Sequence, residues 1–177
     1  AARNLLGMAL AKEGKLDEAA AQFQAALAAN PRHIGFRPEY CKNLGTTELQ
    51  HHHTDRAVAL FSEALRLKPN YLEAHLALGL AYEAKGALDK AVAEFKLATA
   101  LAPDDMSAQG WLVEALVKSR KKRQALAHCQ ALVAAQPRQP ALRFMLAGVY
   151  VSLNRLDHAI TNIRQAIRLA PKTPTYP

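Results

Sequence analysis

Five prolines set the frame of this chain: Pro31, Pro69, Pro103, Pro137 and Pro171, spaced 38, 34, 34 and 34 residues apart. Each follows a stretch rich in Ala and Leu, residues that favour helix over sheet. Proline cannot continue a helix, because it lacks the N–H donor and its ring collides with the preceding turn. Further positions recur on the same period. Eight residues before the prolines stand Phe23, Phe61, Phe95, Cys129 and Ile163, and four residues before those come Ala19, Ala57, Ala91, Ala125 and Ala159. Thirteen residues further back are Leu6, Leu44, Leu78, Leu112 and Leu146, followed by Gly7, Gly45, Gly79, Val113 and Ala147. Such recurrence marks a repeated supersecondary unit that is too small to bury its apolar face alone and must stack on its neighbours.

The residue types explain the positions. Leu78 and Tyr82 lie one turn apart on one helical face. Gly79 between them admits a neighbouring helix where a side chain would collide, and Phe95 fills the resulting gap beside the small Ala91. Asp17, Asp55, Asp89 and Asp157 precede the alanines at the start of the second helix, where a carboxylate is expected to cap free N–H groups and meet the helix dipole. Arg123 takes that place in the fourth repeat. This set of positions resembles the tetratricopeptide repeat, whose first helix carries Leu-Gly-x-x-Tyr and whose second carries Ala-x-x-x-Phe, closed by Pro. The resemblance implies an all-α fold, a right-handed α-solenoid of about five stacked helix-turn-helix units. The repeats fall at 1–33, 38–71, 72–105, 106–139 and 140–171 within a single array, residues 1–171, with an extended connector at 34–37 and a tail at 172–177.

Departures from the period carry information. Four surplus residues fall within 32–38, read as a longer connector with Pro38 opening the next helix. His51, His52 and His53 fill a turn whose equivalents hold Gly14, Gly86, Arg120 and Asn154. On the last helix, Ile160, Ile163 and Ile167 form an apolar stripe that no later element covers, so they are the candidate self-association residues. The chain starts at Ala1, inside a helix and without Met. A piece of a longer protein, or an array whose end another chain covers, is therefore expected.

Composition removes several function classes. No run approaches the roughly eighteen apolar residues of a membrane-spanning helix. Two cysteines make no disulfide framework, and no Cys-x-x-Cys pair exists. Cys41 and Cys129 stand in different registers two repeats apart, too far for a bridge, and Cys129 reads as a small core residue. Adjacent helical side chains diverge by about 100°, so on a helix the three consecutive histidines cannot converge on one metal ion; in a tight turn two could, but only Asp55 stands near to complete a site. No nucleophile–base pair, Gly-rich phosphate loop or paired carboxylates can be recognised, so neither catalysis nor a cofactor is expected. The formal charge is +8, and five of the cations lie within the basic patch Lys118, Arg120, Lys121, Lys122 and Arg123, leaving 8 − 5 = +3 elsewhere. Such a patch attracts nucleic acid or anionic surfaces, but no aromatic residues interleave with it to stack bases, so nucleic acid is the lesser reading. Two unpaired thiols favour a reducing, cytoplasmic compartment. A secretory signal is left open, because the natural N-terminus is not in view.

The resemblance also implies a concave groove lined by the first helix of each unit. Its positions are Asn4, Leu5, Met8 and Lys12, then Glu39, Lys42, Asn43, Thr46 and Gln50, then Glu73, Leu76, Ala77, Leu80 and Glu83. The last two repeats add Trp111, Glu114, Val117 and Lys118, then Phe144, Met145 and Val151. The groove is thus polar toward the N-terminus and apolar toward the C-terminus. Trp111, Phe144 and Met145 are large where packing does not require size, which points to ligand contact. Two subclasses of the family do not fit. The chaperone co-factor clamp takes a Lys and an Asn in one repeat, an Asn in the next, then a Lys and an Arg; here Asn4 and Met8, then Asn43, then Glu73 and Ala77 stand, so its cations are missing, and the Asn ladder of sugar-transferase arrays is replaced by Leu5, Asn43, Ala77, Trp111 and Met145. The expected function is a non-catalytic scaffold holding a protein partner's peptide or amphipathic helix in the groove. Leu76, Leu80, Trp111, Phe144 and Met145 would anchor it, and Lys42, Glu83 and Glu114 would orient it. The alternatives are self-assembly into a homo-oligomer through the last helix and, behind it, binding of an anionic surface by the basic patch.

Overall fold

The computed structural model describes residues 2–29 and 35–170, and these form ten helices with no strand. They run as five consecutive pairs: α1 (Ala2–Lys12) with α2 (Leu16–Ala29), α3 (Arg37–Gln50) with α4 (Thr54–Leu67), α5 (Leu72–Ala84) with α6 (Leu88–Leu101), α7 (Met106–Lys118) with α8 (Lys122–Ala135), and α9 (Pro140–Ser152) with α10 (Leu156–Leu169). The chain divides into two compact units, Ala1–Ala108 and Gln109–Pro177. In the first unit the members of each pair pack together, α3 packs back on α2, and α5 on α4. In the second, α9 packs on both α8 and α10.

The helix boundaries follow from the punctuation residues. Lys68, Ala102 and Gln136 each precede a proline and close α4, α6 and α8 with φ of −138°, −136° and −130°. A proline's δ-carbon pushes the residue before it out of the helical region into this extended one. Pro38 sits in the first turn of α3, where its missing N–H would have been unpaired in any case. Pro31, Pro171, residues 32–34 of the surplus segment and the 172–177 tail lie outside the described residues.

Every turn within a pair uses one left-handed residue: Gly14 (φ +79°), His52 (+62°), Gly86 (+75°), Arg120 (+61°) and Asn154 (+57°). Only glycine adopts this conformation without a steric penalty, so His52 and Arg120 hold it against their own preference.

Close approach inside a pair is written in the Gly–Phe positions. A Cβ placed on Gly7, Gly45 or Gly79 would lie 2.7, 2.7 or 2.5 Å from the ring of Phe23, Phe61 or Phe95. Those three rings are 0–1% exposed, as are Ala19, Ala57 and Ala91. Between pairs, the periodic leucine of the next first helix joins the same cluster: Leu44 packs with Ala19 and Phe23, and Leu78 with Ala57 and Phe61. Flanking aliphatics on the second helix, Val58 and Leu65, close its edge.

One expectation about polar residues changes in the structure. The N-cap positions of α4, α6, α8 and α10 are His53, Ala87, Lys121 and Arg155, and none forms a side-chain cap. Asp55, Asp89 and Asp157 lie inside the first turn instead, where a carboxylate meets the dipole but sits beyond the capping position. A true cap forms elsewhere. Asp105 Oδ1 accepts from the amides of Ser107 (2.8 Å) and Ala108 (3.0 Å) at the start of α7.

A second polar device ties a helix to the loop before it. His75 Nε2 lies 2.8 Å from the carbonyl oxygen of Pro69, and its Nδ1 lies 2.8 Å from a carboxylate oxygen of Glu94. In the same register of the last repeat, Arg143 donates to the carbonyl of Pro137 at 3.1 and 3.2 Å. Gln109 holds this register in the fourth repeat and accepts at Oε1 from His128 at 2.6 Å.

Candidate ligand-binding surfaces

The first unit carries a cavity of about 380 Å³ between α1 and α3, lined by Met8, Ala11, Lys12, Phe23, Lys42, Asn43, Thr46, Thr47 and Gln50. Helical spacing builds it. Met8, Ala11 and Lys12 fall on one face of α1, and Lys42, Asn43, Thr46, Thr47 and Gln50 fall on one face of α3, because residues three and four apart are neighbours. Phe23 supplies an apolar floor. Thr46 and Thr47 turn their hydroxyls to the carbonyls of Lys42 (3.0 Å) and Asn43 (3.2 Å), leaving their methyl groups as wall. Neither Lys12 nor Lys42 forms an ion pair among the described residues. The cavity therefore combines apolar walls with two uncompensated ammonium groups.

Of the groove residues predicted for the first two repeats, Met8, Lys12, Lys42, Asn43, Thr46 and Gln50 line this cavity. Asn4 does not. It is 4% exposed and accepts from Asn43 Nδ2 at 2.9 Å while donating to Glu39 Oε1 at 3.1 Å. This buried amide pair joins α1 to α3. Leu76, Leu80 and Glu83 on α5 are not part of this lining: Leu76 and Glu83 are half-buried and Leu80 is partly covered as well. Ala11 and Thr47 were missed by the groove positions, since both face across the seam between helices.

In the second unit, Trp111 and Glu114 lie on α7, and Phe144 and Met145 on α9. Phe144 is 48% exposed. Trp111 and Met145 are half-buried, so neither is sealed in the core. Glu114 pairs with Lys118 at 2.6 Å.

Comparison with known proteins settles the relationship. A tetratricopeptide repeat profile matches residues 42–105 and 112–174, and a second matches 1–33. The chain belongs to the tetratricopeptide repeat family. Superkiller protein 3 of Schizosaccharomyces pombe is 30% identical over 122 residues, which is 66% of this chain and 8% of that protein. The chain thus spans under a tenth of that relative's length. Among solved structures, a thermophilic TPR protein of Thermus thermophilus is 26% identical, with 96% of this chain and 91% of that one covered and a TM-score of 0.63. MamA from Desulfovibrio magneticus RS-1 is 19% identical over 98% and 96%, with a TM-score of 0.76. A tetratricopeptide repeat protein from Parabacteroides merdae is 15% identical over 96% and 66%, with a TM-score of 0.80. The all-α tetratricopeptide fold is shared throughout, and tetratricopeptide repeats are protein-interaction modules.

The other motifs sort themselves by what they touch. Of the basic patch, Lys118 is paired with Glu114, and Lys122 donates to the carbonyl of Ser152 on α9, which ties that ammonium to the helix without neutralising it. Arg120 takes the left-handed turn position, and Arg123 is exposed on the first turn of α8. His53 Nδ1 lies 2.8 Å from Glu48, His51 lies 3.5 Å from Asp17, and the two rings stack. Among the described residues no three His, Cys, Asp or Glu side chains gather as a metal site, and no helix is long and apolar enough to cross a membrane. Cys41 and Cys129 are free and buried. Burial pushes the Cys129 thiol up to about 12, and burial likewise raises Cys41 despite the nearby Arg37. A thiol so protonated is a poor nucleophile.

Proposed function

We propose that this tetratricopeptide protein is a non-catalytic scaffold that holds a peptide or amphipathic helix of a partner protein. The observation that carries the reading is the α1–α3 cavity. Its volume suits a side chain or two, its walls are methyl groups, Met8 and Phe23, and its rim carries two ammonium groups without carboxylates. An acidic residue flanked by apolar ones complements that lining. Apolar anchors would supply most of the affinity, with the lysines setting register and encounter rate. On the second unit, Phe144 with Trp111 and Met145 offers an apolar contact of its own for the same class of ligand.

A peptide array read by fluorescence tests this, using amphipathic peptides of acidic, neutral and basic character. Acidic peptides are expected to bind, Lys12→Glu/Lys42→Glu to weaken them at least about tenfold, and Phe144→Ala to lower the capture of neutral, apolar ones. Equal capture of basic peptides, or affinity unchanged in the double charge reversal, rejects the reading.

A further inference from the structure

Charge is divided unevenly between the two units. Residues 1–108 hold 12 Lys and Arg against 13 Asp and Glu, giving 12 − 13 = −1. Residues 109–177 hold 11 against 2, giving 11 − 2 = +9, so the whole formal excess lies in the second unit. Of its two carboxylates, Glu114 is paired with Lys118, and Asp157 stands in the first turn of α10. Arg120, Arg123, Arg138, Arg155, Arg164 and Arg168 form no ion pair among the described residues. Ala125 and Cys129 mark the buried side of α8, and Ala159 and Ala166 that of α10. Arg123, Arg164 and Arg168 fall on the opposite sides and are exposed. The fold itself turns that side to solvent. Asp55 and Asp89 in the register of Arg123, Ser62 and Lys96 in that of Arg164, and Arg66 and Ala100 in that of Arg168 are all exposed in earlier repeats. The bond from Lys122 to the Ser152 carbonyl sets the two turns of the unit side by side and so places Arg155 with the basic patch. From Arg155 to Arg168 the cations run along about 20 Å of α10, a length over which a nucleic-acid duplex presents about a dozen phosphate charges.

We propose that the outward sides of α8 and α10, with the turns beside them, bind the phosphate backbone of double-stranded nucleic acid without reading its sequence. Guanidinium forks match phosphate oxygens in pairs, and the release of counterions from the duplex supplies the free energy. Two features select the duplex among polyanions. Neither helix carries Phe, Tyr or Trp, so the bases of a single strand find no stacking platform. The positions between the arginines on that side, Ala127, Gln130 and Thr161, offer no large apolar group to enter a bilayer. What remains is a surface of charge and small polar groups, which suits a ligand that presents phosphates alone. The α1–α3 cavity belongs to the first unit, and this inference does not rest on it.

The test is fluorescence anisotropy on the 177-residue protein, with labelled DNA duplexes of about 20 base pairs in two unrelated sequences. Both duplexes are expected to bind alike. Affinity should fall at least about a hundredfold between about 50 and 200 mM salt, as about four phosphate contacts require. Arg123→Gln/Arg164→Gln/Arg168→Gln should lower the slope of log affinity against log salt by about 2.7. Arg66→Gln/Lys90→Gln/Lys96→Gln removes the same charge from the first unit and should leave the slope unchanged. All six positions are exposed, and unchanged helical circular dichroism confirms folding. No binding at the lower salt overturns the proposal, as does an equal loss of slope in the two triple variants. Tighter binding to a single strand of the same length, or to phosphatidylserine vesicles in place of the duplex, overturns it as well.

Discussion

The first three repeats and the fourth solve the same packing problem with opposite allocations of volume. In repeats one to three the first helix gives up its side chain and the second inserts a ring: Gly7 against Phe23, Gly45 against Phe61, Gly79 against Phe95. In the fourth, the matching positions are Val113 and Cys129, 6% and 1% exposed. The bulk has moved to the first helix, and the ring has shrunk to a thiol. What the repeat conserves is the filled space between two helices, since interiors are packed near crystal density and tolerate neither a void nor an overlap. Either residue read alone looks like an exception, but as a pair they satisfy the rule.

That comparison can be broken most severely at Gly79. Valine there sets a Cβ 2.5 Å from the Phe95 ring, so Gly79→Val is expected to cost about 3 kcal/mol, seen as a lower urea midpoint. Adding Phe95→Cys, which imports the fourth repeat's solution, should recover much of the loss. A strictly additive double mutant would show that the two positions do not share one volume.

The reverse exchange should be milder. Cys129→Phe beside Val113 is expected to cost about 2 kcal/mol by overpacking, with Val113→Gly restoring stability when combined. Val117→Gly, one turn further along the same helix, should give no such rescue.

The thiol also gives the fourth repeat a response to alkaline pH. The Cys129 pKa rises from 9.0 in an open chain to about 12 when folded. The unfolded chain therefore loses its proton first as pH rises. Stability from this group is fully present below pH 9 and is lost as pH climbs toward 12. A loss of about 1 kcal/mol by about pH 10 follows. Cys129→Ala should make that part of the urea-midpoint profile shallower, leaving the contribution of the buried Cys41, and an unchanged alkaline slope in the variant would contradict the assignment.

The smallest effect lies in the turns. Gly14 and Gly86 hold the left-handed position freely, whereas Arg120 holds it at φ +61°. Arg120→Gly should raise stability by about 1 kcal/mol, measured as a higher melting temperature. The same change at Gly86, to Arg, should lower it by a similar amount.

Much of the architecture could be read from the chain because it depends on residues whose physics is local. A proline ends a helix wherever it stands, and an Ala–Phe pair four apart always shares a face. The repeats and the turns followed from that. Other features depend on position without residue type and left no such trace. The link from first helix to preceding loop is held by His75 and Arg143, and the adjoining link across the pair by His75 with Glu94 or Gln109 with His128, chemically different groups that no composition pattern groups together. The capping expectation failed at Asp55, Asp89 and Asp157 by two residues each, the scale on which helix ends are hardest to place from sequence. For the binding surface, register selected Met8, Lys42 and Thr46 as cavity lining, yet could not see that Asn4 and Asn43 satisfy each other. Amide pairing is a property of two helices at a given separation, and a single periodic column contains no information on it.

The swapped polar pairs set a limit on how this gene could be rearranged. In one repeat the imidazole stands on the leading helix and its acceptor on the trailing one, as His75 with Glu94. In the next the imidazole trails and the amide leads, as His128 with Gln109. A crossover between whole repeats would carry each couple intact. A crossover within a hairpin would set imidazole against imidazole in one product and amide against carboxylate in the other. Ancestral duplications and engineered chimaeras of this chain should therefore tolerate joints at the prolines and resist joints at the left-handed turns.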